Sequence, residues 1–245
     1  MADEELASLK ERLVGWLRDQ VRKARAEGIV VGMSGGIDSS LVAVLAKEAL
    51  GDKVLGLIMP CHSDALDIED AQAVAERFSL KVERVDLSGI YDQLVKLFPD
   101  DAVIPRSNIK PRLRMISLYY FANLLNYLVV GTGNLSELKV GYFTKYGDGG
   151  VDILPLGGLY KTQVRKLATH VGVPENIIGK PPSAGLWPGQ TDEDELGISY
   201  DELDDVLAAL DRGDVKELPR ERVEWVKNSM VASAHKRQPP AIFQP

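Results

Sequence analysis

The stretch that decides the fold runs Gly28-Ile29-Val30-Val31-Gly32-Met33-Ser34-Gly35-Gly36-Ile37-Asp38-Ser39-Ser40. Its first five residues read as a short, wholly buried strand of the kind found inside parallel sheets. A loop of small residues follows, and residues 40–50 then carry a helical run that Gly51 closes. Strand, glycine loop and helix in that order bring backbone N–H groups together with a helix N-terminus, which makes a site for phosphate or pyrophosphate. A Walker A loop needs Lys before Ser or Thr, and none stands here, which disfavours a kinase or GTPase of that class. The plainer alternative is a tight turn in which Asp38 merely caps a helix.

Working outward, Leu6, Leu9, Leu13, Trp16, Leu17 and Val21 recur at spacings of three and four, the apolar face of a first helix that ends near Gly28. Residues 53–59 are rich in strand formers, 67–78 are helical and 81–85 alternate as a strand. The chain breaks at 99–105, turns helical over 107–126 with Pro111 disputing the start, and enters a buried strand at 127–131. This alternation predicts an α/β fold, a Rossmann-like parallel sheet with helices on both faces and ligands at the carboxyl ends of its strands. Residues 141–158 read as a functional loop flanking a short strand at 153–154, and 160–171 as a helix. The Pro-, Gly- and acid-rich segment 179–197 reads as a mobile lid. Two or three amphipathic helices over 199–234 and a short basic tail from His235 complete the chain.

A length of 245 residues fits one α/β domain spanning the whole chain, and 45% apolar with 27% charged residues is enough to build a core. With 29 Lys plus Arg against 36 Asp plus Glu the net charge is −7, which argues against a nucleic-acid partner held through phosphate neutralisation. One cysteine, Cys61, forms no internal disulfide, and three histidines are too few for a usual structural zinc site. The acidic, amphipathic N-terminus is not a signal peptide, and no apolar run approaches the roughly 20 residues of a membrane span. These features lead to the expectation of a cytoplasmic protein with no membrane partner.

The glycine loop resembles the SGGxDS signature of the ATP pyrophosphatase superfamily, whose members adenylate a carboxylate or carbonyl and release pyrophosphate. Five further motifs narrow the resemblance. They are Pro111-Arg112-Leu113-Arg114-Met115; Gly131-Thr132-Gly133-Asn134 with Glu137; the run from Gly141 to Gly150; Leu159-Tyr160-Lys161-Thr162-Gln163-Val164-Arg165; and the run from Gly189 to Gly197. In this order they resemble the NAD synthetases, from the first helix to the His235-Lys236 tail. The resemblance implies an adenine nucleotide alpha hydrolase-like fold and amidation of deamido-NAD with ammonia. A carboxylate oxygen leaves badly, so ATP first adenylates it; pyrophosphate departs, and ammonia then displaces AMP to leave the carboxamide of NAD. Chemistry of this kind rests on positioning and charge stabilisation.

The resemblance also implies roles residue by residue. Gly32, Met33, Ser34, Gly35, Gly36, Ile37, Asp38 and Ser39 would bind ATP, joined by Thr132, Lys161 and Ser183, the last where the family often has Thr. Asp38 and Glu137 would hold Mg²⁺, the hard-cation role that carboxylates suit. Lys161 opens a helix, where a lysine opposes the dipole, and would stabilise charge as pyrophosphate leaves. Arg112, Lys145, Asp152, His235 and Lys236 would bind deamido-NAD, and Asp148 would hold or deprotonate ammonium. A homodimer is implied, with the dinucleotide site near the subunit interface. Taken alone, each of the residues assigned to deamido-NAD would more often be a solvated surface charge.

Cys61-His62 mimics a nucleophile and base, but adjacent residues on an extended chain point opposite ways. Glutamine hydrolysis needs its own nucleophile, usually housed in an additional amidase domain, so free ammonia is the expected nitrogen donor. The competing readings are another ATP pyrophosphatase ligase, such as a GMP synthetase core or a tRNA thiolation enzyme, and a non-catalytic ATP-binding protein of universal-stress type. The thiolation enzymes usually show paired cysteines, and a stress-type module should lack Glu137 and Lys161.

Overall fold

The computed structural model describes residues 1–99, 102–187 and 189–244. Helix α1 (Asp3–Ala24) leads into strand β1 (Gly28–Gly32), and α2 (Ile37–Leu50), β2 (Val54–Ile58), α3 (Ala65–Arg77) and β3 (Lys81–Arg84) continue the alternation. Then come α4 (Ser88–Val95), α5 (Val103–Ser107), α6 (Ile109–Leu125) and β4 (Tyr127–Val130). The strands form one parallel sheet in the order β3-β2-β1-β4. Val30 of β1 stands opposite Leu55 on one side and Val129 on the other. Chain order reverses between β1 and β4, so the loops that leave these two strands open a crevice at the topological switch point.

Apolar residues on both sides of β1 explain why it lies at the centre. Ile29 and Val31 join the core formed with α1, α2 and α3, whereas Val30 packs with Leu57, Val129 and Leu118 beneath α6. Helix α2 is apolar nearly all round, with residues from Leu41 to Ala46 buried, as a helix wedged between the sheet and α1 must be. Beyond the sheet lie α7 (Leu135–Val140), α8 (Lys161–His170), α9 (Glu175–Ile178), α10 (Asp192–Leu196), α11 (Tyr200–Arg212) and α12 (Arg220–Ala232). Tyr200, Leu203, Leu207, Val223 and Val226 form a separate apolar cluster there with Val140 of α7.

The structure departs from the sequence reading at several boundaries. The expected helix over 107–126 is α6, with Pro111 in its first turn where the missing N–H deprives no partner, while the expected break holds the short helix α5. Of the expected break at 99–105, residues 100 and 101 lie outside the described residues. The strand expected at 153–154 is a single bridge, Val130 with Ile153, because the chain turns at once through the Gly157 N–H bond to Leu154 O. The basic tail is pinned rather than free. A short 3-10 turn, Ala234–Lys236, brings Lys236 Nζ to the carbonyls of Gly141 and Phe143 at 2.8 and 2.9 Å.

Candidate active site

The glycine loop is shaped by its own hydroxyls. Ser39 Oγ accepts from Ser34 N–H at 3.2 Å and donates to Gly36 O at 3.0 Å, which ties the loop to the first turn of α2. Gly35 takes φ +80°, and a Cβ there would fall 2.2 Å from Asp67 O, so both the turn and the approach of α3 demand glycine. Asp38 lies in the first turn of α2, where negative charge is favoured. Across the crevice Asn134 caps α7: its Oδ1 accepts from Glu137 N–H at 3.0 Å, and its Nδ2 donates to Asp38 Oδ1 at 3.0 Å.

These caps place two carboxylates face to face, and Lys161, 2% exposed, lies between them. Its ammonium donates to Asp38 Oδ2 and reaches Glu137 Oε1 at 3.2 Å. Burial pushes the Glu137 carboxyl above its ordinary range, with Asp38 and Asp192 adding to the rise and Lys161 opposing it. For Lys161 burial acts downward, but the Asp38 and Glu137 carboxylates prevail and hold its pKa above the usual lysine value. Tyr200, fully buried, donates to Asp192 Oδ2 at 3.0 Å and stands 3.3 Å from Glu137 Oε1, linking the pair to the lid.

A cavity of about 430 Å³ opens above this pair. Gly32, Met33, Ser34, Gly36, Ile37, Asp38, Ser39, Thr132, Glu137, Asp148, Lys161, Ser183 and Lys236 all line it. Gly35 does not, since it turns away onto α3. Asp148 lines the cavity as an exposed residue, and desolvation by the surrounding protein raises its pKa against the Thr144 N–H that it accepts at 2.9 Å. Arg112, Lys145 and His235 gather outside the cavity as a second cluster. Arg112 Nη2 donates to Lys145 O at 3.2 Å, and Lys145 Nζ donates to His235 O at 2.5 Å. Asp152 stands apart on the outer edge of β4, exposed, accepting from Tyr119 Oη at 3.0 Å and Val129 N–H at 2.8 Å.

The segment expected to be a lid folds over the cavity. Lys180 Nζ pairs with Asp67 and Asp70 of α3, Asp192 N–H donates to Pro182 O at 2.9 Å, and buried Lys110 donates to Leu186 O at 2.8 Å. Its Pro188 lies outside the described residues. Sequence reasoning missed Arg114, which lines the cavity and donates to Met59 O and Ser63 Oγ, each at 3.3 Å. On a helix, residues two apart face opposite ways, so Arg112 points outward and Arg114 inward. Cys61 and His62 do diverge: Cys61 is buried, while exposed His62 bonds Asp92 at 2.7 Å.

A glycine loop at the switch point of a parallel sheet, facing a lysine-bridged carboxylate pair, is built on the Rossmann-like ATP pyrophosphatase fold. The comparisons narrow the class. Residues 9–240 match the NAD synthase family model. The NH(3)-dependent NAD(+) synthetase of Carboxydothermus hydrogenoformans is 48% identical over 237 residues, covering 95% of each chain. The solved NMN synthetase of Francisella tularensis superposes with TM-score 0.89 at 37% identity, covering 100% of this chain and 99% of that one. An NH3-dependent NAD synthetase from Campylobacter jejuni, solved with nitrate, gives TM-score 0.86 at 32% identity and covers 100% of both chains. The chain belongs to the NAD synthase family.

Proposed function

We propose that the protein is an ammonia-dependent ligase that converts deamido-NAD to NAD at the expense of ATP, releasing AMP and pyrophosphate. The observation that carries this reading is the Lys161 ammonium held between Asp38 and Glu137 at the mouth of the glycine loop. The nicotinate carboxylate attacks the α-phosphorus of ATP, and pyrophosphate leaves against the loop N–H groups and Lys161, which stabilise the charge that develops. Ammonia then attacks the adenylated carbonyl and AMP departs. Asp148, which lines the cavity, accepts the proton that the incoming nitrogen must lose. Lys236 faces the cavity, and the Arg112, Lys145 and His235 cluster continues the positive surface toward a pyrophosphate-containing substrate. Asp152 is exposed, and each of its oxygens keeps a lone pair for a ribose hydroxyl.

The charge balance also suits Mg²⁺. Asp38, Glu137 and Asp192 surround a single ammonium, so the floor of the cavity carries excess negative charge where a triphosphate must lie. Asp38 and Glu137 are the residues that would hold the ion. When bound, the ion neutralises phosphate charge.

The protein works as a homodimer of single-domain chains, 1–245, in the cytoplasm. Ile116, Tyr120 and Leu124, each more than half exposed, form an apolar stripe at four-residue spacing on α6, and Arg112 continues the same face. A second copy seated there would cover the stripe and lie beside the proposed dinucleotide cluster. Among the described residues no helix is long and apolar enough to cross a membrane. The test is to incubate the purified protein with ATP, Mg²⁺, deamido-NAD and ammonium. NAD and AMP in equal amounts support the reading; ADP, or no NAD, contradicts it.

A further inference from the structure

The first two N–H groups of helix α8 are capped by other elements. Its N-cap residue, Tyr160, provides no side-chain hydrogen bond to the first turn, and the Tyr160 N–H is itself taken by Gln163 Oε1 at 2.9 Å. The first N–H groups of a helix have no partner within it and must find one elsewhere. Here they find it on other elements. Lys161 N–H donates to Ser136 Oγ of α7 at 2.9 Å, and Thr162 N–H donates to Asp204 Oδ2 of α11 at 2.8 Å. The Ser136 hydroxyl in turn donates to Asp204 Oδ1.

Asp204 is 4% exposed, and no lysine or arginine pairs with it among the described residues. A buried carboxylate without a cation is costly unless its oxygens are well bonded. What favours it is the N-terminus of α8, whose dipole attracts negative charge and offsets the positive Lys161 in the same turn. Asp204 bonds the residue beside Lys161 and the residue beside Glu137, yet it does not itself line the cavity. We infer that Asp204 is a positioning residue for the reaction: it clamps the first turn of α8 to α7, and so fixes the Lys161 ammonium against Glu137 and Asp38. The inference rests on the role proposed above for Lys161.

The test compares Asp204→Asn, Ser136→Ala and Lys161→Met, and the double variant Asp204→Asn/Lys161→Met, with folding checked by circular dichroism. Asn keeps the side-chain shape and an acceptor for Thr162 N–H but removes the charge and the acceptor for Ser136. The expected result is a kcat lowered roughly 10–100-fold, since a displaced catalytic group costs about that much, while KM for ATP moves less than about threefold. Ser136→Ala should lower kcat in the same direction, which keeps the inference testable should Asp204→Asn fail to fold. In the Lys161→Met background, Asp204→Asn should reduce kcat by less than about threefold more, because residues that act as a unit are not additive. Wild-type kcat in folded Asp204→Asn or in Ser136→Ala, or an undiminished Asp204→Asn loss on top of Lys161→Met, overturns the inference alone. Near-normal turnover of Lys161→Met overturns the reading of Lys161 and this inference with it.

Discussion

The Lys161 ammonium is hydrogen-bonded to the Asp38 carboxylate, although 123 residues separate them and each stands in the first turn of a different helix. A positive residue at a helix N-terminus is locally unfavourable; the carboxylates that surround it make the position stable. Asp38→Asn and Glu137→Gln should each cut turnover by roughly 10²–10³, the usual loss when one preorganised electrostatic group is removed, with the fold kept. Steady-state rates check this, and near-normal turnover in both variants would sink the proposed metal and lysine site.

Asp148 should make stability depend on pH. Burial raises its folded pKa above the ordinary carboxylate value of 3.8, so between that value and the folded one the native state holds the extra proton. Stability attributable to this group therefore falls as pH rises through that window and levels off once the native carboxyl has ionised. Asp148→Asn does not titrate, so its melting temperature relative to wild type should climb over the same window. A difference that stays flat from pH 4 to 8 would contradict a raised Asp148 pKa. The same variant should lose turnover with ammonium.

The first turn of the Rossmann-like unit was legible because β1 is buried on both faces and shows as an unbroken apolar run, with the glycines at the one place where the chain must turn tightly. Helix α7 was not, since six residues span too few turns to show a period. Asp204 read as one more charge on an amphipathic helix, because a bond to Ser136 is a fact of tertiary packing. Of the site, Asp38, Glu137, Lys161, Asp148 and Thr132 do meet around one cavity. Arg112, Lys145 and His235 gather beside it from three separate segments. Asp192 and Tyr200 stood within or next to a quoted motif, but nothing in their spacing says that they reach Glu137.

The lid should respond to nucleotide. The described residues of segment 179–197 are fastened largely by polar contacts, among them Lys180 to α3, Asp192 to Tyr200 and the Leu186 carbonyl to Lys110, which ligand binding can strengthen or release. Hydrogen exchange in this segment should slow when ATP and Mg²⁺ are added. Equal exchange with and without them would contradict a lid.

Substrate length should matter. If Arg112, Lys145 and His235 receive the distal part of a dinucleotide, nicotinic acid mononucleotide should react with kcat/KM at least about tenfold below that of deamido-NAD, since remote binding energy is lost. Arg112→Ala should narrow that gap while leaving KM for ATP nearly unchanged. Equal use of both substrates by wild type would contradict a binding role for this cluster.

Free ammonia should be the nitrogen donor. Cys61 is buried, its thiol pKa is pushed up by that burial, and it lies outside the cavity, so it is unsuited to attack an amide. Ammonium should support NAD formation and glutamine alone should not, measured with glutamine freed of ammonia. Efficient turnover with glutamine would refute the assignment.

The central claim is that the carboxylate is adenylated before nitrogen arrives, and an isotope label reads this directly. Deamido-NAD carrying ¹⁸O in both oxygens of its nicotinate carboxylate is converted in the presence of ATP, Mg²⁺ and ammonium, and the products are analysed by mass spectrometry. Attack by the carboxylate on the α-phosphorus places one labelled oxygen between carbon and phosphorus, and ammonia then expels it with AMP. The account predicts one ¹⁸O in AMP for each NAD formed and none in pyrophosphate. Label in pyrophosphate, or AMP free of label while NAD accumulates, would contradict it.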